Sequence, residues 1–434
     1  MRFKSVFSKT IFKYKRYYIK IKKLKAKSIM AILFHYISRM LDPNLDLLGV
    51  DYNLPFKREV PKLYELLKHY DFDKSLLRSN YNKFKKFHKK NLLINWFLPN
   101  FENVHGGGIN DIFKFATFLY NKGIKSNFVI YNELKKMGSQ DLKRLTDLIK
   151  KEFPELVNFA VYSVDSGNIP ACDIAFATTW ISAYFVLHFP NAKARYYFIQ
   201  DYEPLFYPAG SLFAVAEATY KFKFPAITYG TWLKNIYEKK YNGTAVAFMP
   251  CADEIFYPNK TAPIEKPKRL FFFARPYTER RAFEIGIAAL TIIKSRHPDL
   301  EIVTAGFSDL SKKYKLPFHV TDLGNLTLQQ TAELYRTCDI GLCFSMTNLS
   351  LVPIQLAASG CIVVTNKGPN VEYLFKNRKN CLLTDMSPTL IANTVEELFK
   401  DYDLRKRIFN EGIKSTKSTS WNKEFEKVYN KVFK

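Results

Sequence analysis

The stretch WFLPNFENVHGGGINDIFKFATFLYNKG, Trp96 to Gly123, decides the fold. It opens as an apolar run, breaks at Gly106, Gly107 and Gly108, and closes in a helix-like pattern that ends on Gly123. A buried strand, a bare-backbone turn and an amphipathic helix, expected to begin at about Asn110 or Asp111, is half of a parallel β-α-β unit. Two readings of the glycines stand side by side. They make a tight turn, or they let an oxygen-rich ligand approach unpaired N–H groups at the helix N-terminus. The spacing is not G-x-G-x-x-G, so no dinucleotide fingerprint is present. The HGGG run also fits an esterase oxyanion hole, but no G-x-S-x-G nucleophile elbow accompanies it.

The same alternation continues outward. NLLINWFLP, KSNFVIYN, CDIAFATT, ARYYFIQD, AITYG and TAVAFMP read as strands, several of them separated by helical patterns. A polar segment with three prolines, YPNKTAPIEKPKR (Tyr257 to Arg269), follows and reads as a linker. Alternation then restarts with RLFFFARP, LEIVTAGF, HVTDLGN, DIGLCFS, CIVVTNKG and NCLLTD. The expectation is an α/β protein of two doubly wound, Rossmann-like domains facing across a cleft. Residues 1–90 form a basic, mainly helical N-terminal extension. Residues 91–258 form the first domain, 259–417 the second, and 418–434 an amphipathic closing helix. Ligands of such sheets bind beyond the carboxyl ends of the strands.

Composition narrows the function classes. A chain of 434 residues with 47% hydrophobic and 16% aromatic content is globular and too long for one ordinary core. Its six cysteines form no C-x-x-C pair, which favours a reducing compartment over a disulfide framework or a zinc site. Net charge is +26. Eleven Lys or Arg and no Asp or Glu fall within Met1 to Met30. Such a segment suits an anionic membrane surface, nucleic acid, or simple solvation as a basic tail. The longest uncharged N-terminal run, SIMAILFHYIS, is too short to span a bilayer.

Three places carry chemistry. The glycines follow the first strand. In FFFARPYTERRAFEIG a strand ends at Arg275, and Arg280 and Arg281 follow; guanidinium groups there can grip a diphosphate in bidentate fashion. In CDIGLCFSMTNLSLVPIQLAASGCIVVTNKGPN the residues Ser345, Thr347, Asn348 and Ser350 are expected at the mouth of the cleft. A helix should start near Val352 or Pro353, its N-terminus suited to phosphate.

Taken together these motifs resemble the glycosyltransferase family 4 type with the GT-B fold. MPCADEIFYPN resembles its linker entry, here Asp253, Phe256 and Pro258; TLQQTAELYRTCDIGLCFS and SWNKEF resemble segments before the donor site and at the final helix. YFIQDYEPLFYPAGS, FARPYTERRAFEIG and VPIQLAASGCIVVTN resemble bacterial rhamnan-synthesis rhamnosyltransferases. The likeness covers roughly Asn91 to Phe433. It implies an acceptor-side first domain and a donor-side second domain. It gives Arg275 and Arg281 (or Arg280, if the register slips by one) the donor diphosphate, and sets Gly106, Gly107 and Gly108 against the donor sugar and phosphates. Gln200 and Asp201 fall where the family often has a His-Asp pair. Thr347 and Gln355 stand where it usually has two glutamates, which points to a deoxy or otherwise unusual sugar.

The implied reaction is retaining and metal-independent transfer of a sugar, with rhamnose and a dTDP-linked donor favoured, to a bacterial surface polysaccharide or its lipid-linked precursor. No resident cofactor is needed. Arg275, Arg281 and Asp201 are the catalytic candidates, and Glu203 joins Asp201 in orienting the acceptor or stabilising oxocarbenium character. A cytoplasmic protein, able to touch the inner membrane face through residues 1–30, follows. The alternatives are a non-catalytic binder of glycans or nucleotide sugars, and a nucleic-acid-binding protein suggested by charge alone.

Overall fold

The computed structural model describes residues 67–77, 82–87, 91–104, 106–132 and 136–434. By contact density the chain divides into two units, Met1–Tyr70 and Asp71–Lys434. Of the first, only residues 67–70 are described, so the reading of residues 1–30 as a membrane-facing segment, and most of the helical extension, lie outside the described residues.

The second unit holds two parallel sheets. In the first, β1 (Leu93–Pro99), β2 (Lys125–Tyr131), β3 (Val161–Ser163), β4 (Cys172–Ala177), β5 (Ala192–Ile199), β6 (Ala226–Tyr229) and β7 (Ala245–Phe248) stand in the order β3-β2-β1-β4-β5-β6-β7. The second contains β8 (Arg269–Phe273), β9 (Glu301–Ala305), β10 (Thr321–Asp322), β11 (Ile340–Leu342), β12 (Ile362–Asn366) and β13 (Leu382–Thr384), ordered β10-β9-β8-β11-β12-β13. Every pairing is parallel. Both sheets therefore reverse direction of growth between their first and fourth strands, and a crevice opens there. These are the two doubly wound domains expected from the alternation, as the family resemblance also implies. The strand missed by pattern is β3, three residues inside a polar stretch.

Strands buried on both faces need unbroken apolar runs, and these have them. Trp96 of β1 is fully buried and stacks on Phe176 of β4 at 4.4 Å between ring centres. In the second domain Gly286 lets the helix Phe283–Arg296 lie close to its sheet. A Cβ there would press into the Phe272 ring. The six cysteines are unpaired and buried.

The final helix, Trp421–Val432, returns to the first domain. Phe425 meets Phe115 at 4.9 Å and Phe248 at 5.7 Å. Asp253, in the linker, ties three segments. Its Oδ1 accepts from Trp421 Nε1 at 2.9 Å and pairs with Lys114 of the helix Gly107–Asn121. Glu424 of the final helix adds a second tie, accepting from Met249 N at 3.0 Å. No helix of the described residues is long and apolar enough to cross a membrane.

Candidate active site

The glycine helix begins earlier than its residues suggest. It runs Gly107–Asn121, with Gly106 as N-cap, so Asp111 lies inside the helix rather than capping it. Glycine costs a helix about 1 kcal/mol, which is why the start was expected later. Tertiary packing overrides that cost, because the Gln200 side-chain amide lies where a Cβ on Gly108 would sit. Gly107 takes φ +48°, a left-handed conformation, and open space lies over it. The first turn of this helix is therefore bare backbone.

The arginines gather beyond β8. Arg281 donates to Ser345 Oγ at 2.7 Å. Arg275, at the exposed rim, donates to the Gly306 carbonyl at 3.1 Å. Arg280 lies 4.3 Å from the centre of the Phe206 ring, a cation–π contact across the domains, and its Nε is 3.9 Å from Asp201 Oδ2. Burial first, and the charge of Arg280 second, push Arg281 down to about 10; the same two causes lower Arg275. Arg281 is still charged at neutral pH, so the three guanidinium groups repel one another. An anion placed among them is stabilised by that excess charge.

Asp201 follows β5 and reaches across to the second domain. Its carboxylate accepts from Thr347 Oγ1 at 2.9 Å, from Asn348 N at 2.7 Å and from Tyr202 N at 2.8 Å. The Asn348 side-chain amide donates to the carbonyls of Gln200 and Tyr229, at 2.9 and 3.0 Å. The two domains are thus stitched at Gln200–Asp201 and Thr347–Asn348.

Ser345, Thr347 and Asn348 were expected at the cleft mouth, and the structure corrects this: they are 2%, 1% and 2% exposed. Ser345 N donates to Asn366 Oδ1 at 2.8 Å, and Asn370 Nδ2 to Ser345 O at 2.8 Å, so the loop is fixed from below. Ser350 is half-buried. Gln355 is buried on the helix Val352–Ala358, which has only seven residues. Glu203 has a structural partner. Its buried carboxylate accepts the Trp180 N–H at the start of the helix Trp180–His188, and burial pushes its pKa up to about 8. It caps a helix, whereas Asp201 bonds to the second domain.

Asp111 was missed. It is 2% exposed on the apolar side of its helix, and burial raises its pKa to about 7. The signal was present: an acid one position before the core residues Ile112 and Phe113. Tyr373 was also missed. Its ring tip packs against Gly230 of the other domain, so closely that a Cβ there would meet Cζ at 2.7 Å. Among the described residues no three His, Cys, Asp or Glu side chains converge as metal ligands.

Comparison with known proteins agrees with this geometry. Residues 91–229 match the model of the WsaF N-terminal domain, and residues 268–396 match that of the WsaF C-terminal domain. The O-antigen biosynthesis protein RfbC of Myxococcus xanthus is 36% identical over 336 residues, 77% of this chain and 26% of that protein. The chain thus spans about a quarter of that relative's length. Among solved structures, S. aureus TarM in complex with Fondaparinux, alpha-GlcNAc-glycerol and UDP superposes with a TM-score of 0.60 at 10% identity, over 79% of this chain and 99% of that one. Anabaena HepE in complex with UDP and glucose gives 0.57 at 14% identity, over 78% and 98%. Sucrose-phosphate synthase from Thermosynechococcus elongatus gives 0.58 at 12% identity, over 78% and 98%. At such identities the structural likeness establishes the fold, which is GT-B.

Proposed function

We propose a specific reaction for this chain, which carries both WsaF domains in order, belongs to that family, and is a GT-B glycosyltransferase of the O-antigen type. The reaction is transfer of a sugar from a nucleoside diphosphate to a bacterial surface polysaccharide or its lipid-linked precursor, with retention of configuration and without a metal. Rhamnose or another deoxy sugar, carried on dTDP, is the favoured donor. The chain needs no resident cofactor in this reading. It works in the cytoplasm, and residues 1–30 bring it to the inner membrane face.

One observation carries the reading: three mutually repelling guanidinium groups at the carboxyl end of the second sheet, with Asp201 as the acid that faces them. As the bond from the anomeric carbon to the diphosphate breaks, negative charge grows on the leaving oxygens. Arg275, Arg280 and Arg281 lie where that charge would be stabilised. The bare first turn at Gly107 gives the donor a second set of N–H groups. The acceptor oxygen then bonds to the same face of the sugar, and its proton passes to the leaving phosphate. Asp201 stabilises positive charge on the ring carbon once its bonds to Thr347 and Asn348 exchange for substrate. The hinge at Asp253 is the natural pivot for that exchange.

Thr347 and Gln355 in place of acidic groups favour a second reading, a binder of nucleotide sugars that does not turn them over. Both are tested by thermal stabilisation with UDP, GDP, dTDP and their sugars, followed by assay of diphosphate release. Stabilisation by one nucleotide with turnover supports transfer. Stabilisation without turnover, across acceptors of bacterial glycan, supports the binder.

A further inference from the structure

Besides Arg280 Nε, which faces Asp201, four atoms at the domain junction have no hydrogen-bonding partner among the described residues: Asp111 Oδ1, Tyr229 Oη, Tyr373 Oη and Asn348 Oδ1. They come from four separate segments. Asp111 lies on the glycine helix, Tyr229 ends β6, Asn348 is in the loop after β11, and Tyr373 caps the helix Pro369–Glu372. Asp111, Tyr229 and Asn348 are 2%, 4% and 2% exposed. The Asn348 amide donates to the Tyr229 carbonyl at 3.0 Å, and Tyr373 packs on the next residue, Gly230. Burial holds the Tyr229 phenol well above its usual range; Asp111 and Tyr373 add to this and Arg281 opposes it, so Tyr229, Asp111 and Tyr373 are electrostatic neighbours, and Asn348 joins them through its bond to the Tyr229 carbonyl.

A buried polar group without a partner costs roughly 1–3 kcal/mol, so four near one junction call for an explanation. Their donor and acceptor capacities say what would satisfy them. Asp111, its pKa raised to about 7 by burial, accepts when ionised and also donates when protonated. Asn348 Oδ1 only accepts, and its Nδ2 is already committed to two carbonyls. The two phenols both donate and accept. A phosphate at neutral pH offers few protons to Asn348 Oδ1 and is repelled by the ionised fraction of Asp111, so the diphosphate belongs on the arginines. Neighbouring hydroxyl groups, which give and take, match the set.

We propose that Asp111, Tyr229, Tyr373 and Asn348 form a subsite for adjacent hydroxyl groups of a sugar, completed only when the two domains meet. The proposal rests on the glycosyltransferase reading and refines it, by separating hydroxyl recognition from diphosphate recognition. The sugar is that of the donor or that of the acceptor glycan.

The test uses the full chain and the variants Tyr229→Phe, Tyr373→Phe and Asp111→Asn, which remove one atom or one charge each. Unliganded melting temperature is the folding control, and the phenylalanine variants should hold or raise it. Affinity is then measured for the bare nucleoside diphosphate and for its sugar conjugate, together with the acceptor KM. A donor-sugar subsite predicts unchanged diphosphate affinity and roughly tenfold weaker binding of the conjugate, the loss of about one hydrogen bond. An acceptor-sugar subsite predicts both donor affinities intact and a similarly raised acceptor KM. Equal weakening of diphosphate and conjugate, or no change in either affinity and in acceptor KM, overturns the subsite. So do phenylalanine variants that melt lower while ligand responses stay the same, because the hydroxyls would then serve folding. If the wild type binds no nucleotide at all, the transfer reading itself fails and the subsite falls with it.

Discussion

The two rims of the cleft are built from the same fold and opposite chemistry. On the second domain, Arg275, Arg280 and Arg281 crowd together, and burial first, with repulsion from Arg280 second, lowers the pKa of Arg275 and Arg281. On the first domain stand three acids, Asp111, Asp201 and Glu203, and burial raises the pKa of the first and the last. Yet the three acids are not equivalent. Glu203 is spent on a helix end, Asp201 on the loop of the other domain, and Asp111 has an oxygen with no partner. Position beyond a strand therefore does not define a role; what each carboxylate touches does.

If the basic rim binds an anion and the acidic rim does not, substitutions should split accordingly. The largest effect is expected for Arg281→Ala. It removes charge-assisted bonds to a diphosphate, so nucleotide affinity should fall by roughly tenfold to a hundredfold, measured by calorimetry. Asp201→Asn should leave that affinity nearly intact and lower turnover instead. An equal loss of nucleotide binding in both variants would erase the contrast between the rims.

Next in size is a stability effect on the acidic rim. Glu203→Ala should cost about 1–2 kcal/mol through the lost helix cap, while Glu203→Gln, which keeps an acceptor for the Trp180 N–H, should cost much less. Chemical unfolding of the two variants separates capping from catalysis. If Glu203→Gln is stable but inactive, Glu203 has a second role.

Asp111 sharpens the comparison through pH. Its folded-state pKa, about 7, exceeds the ordinary 3.8, so the folded protein holds this proton more tightly than the unfolded chain. Its contribution to stability must fall as pH rises from about 4 to about 7 and stay low above that. Asp111→Asn should remove this slope and be more stable than wild type at pH 8, by about 1–2 kcal/mol. Parallel stability curves for the two proteins would mean that Asp111 is better solvated than its burial implies. The smallest effect is expected for Gly108→Ala. The added methyl must move the flexible Gln200 amide, so stability should change by less than about 1 kcal/mol.

Much of this was legible beforehand, and for physical reasons. Apolar runs ending at Pro99, Ile199 and Phe273 marked strand ends, because a parallel strand buried on both faces must be apolar until it leaves the sheet. The arginines were legible for the same reason: they follow such an end. What the residues alone could not disclose was contact across the cleft. Thr347 and Asn348 read as open groups until Asp201, 146 and 147 positions away, was found bonded to them. Tyr373 drew no reading from the sequence, because its contact with Gly230 exists only in the fold. The helix start at Gly107 was misplaced because local propensity carries no information about Gln200.

The most direct test of the central claim is calorimetric titration of the full chain with dTDP, UDP and GDP, in EDTA, for wild type and Arg281→Ala. The account predicts saturable binding of one nucleotide by the wild type, largely lost in the variant. No binding of any nucleotide by folded wild type, or equal binding by both proteins, would contradict it.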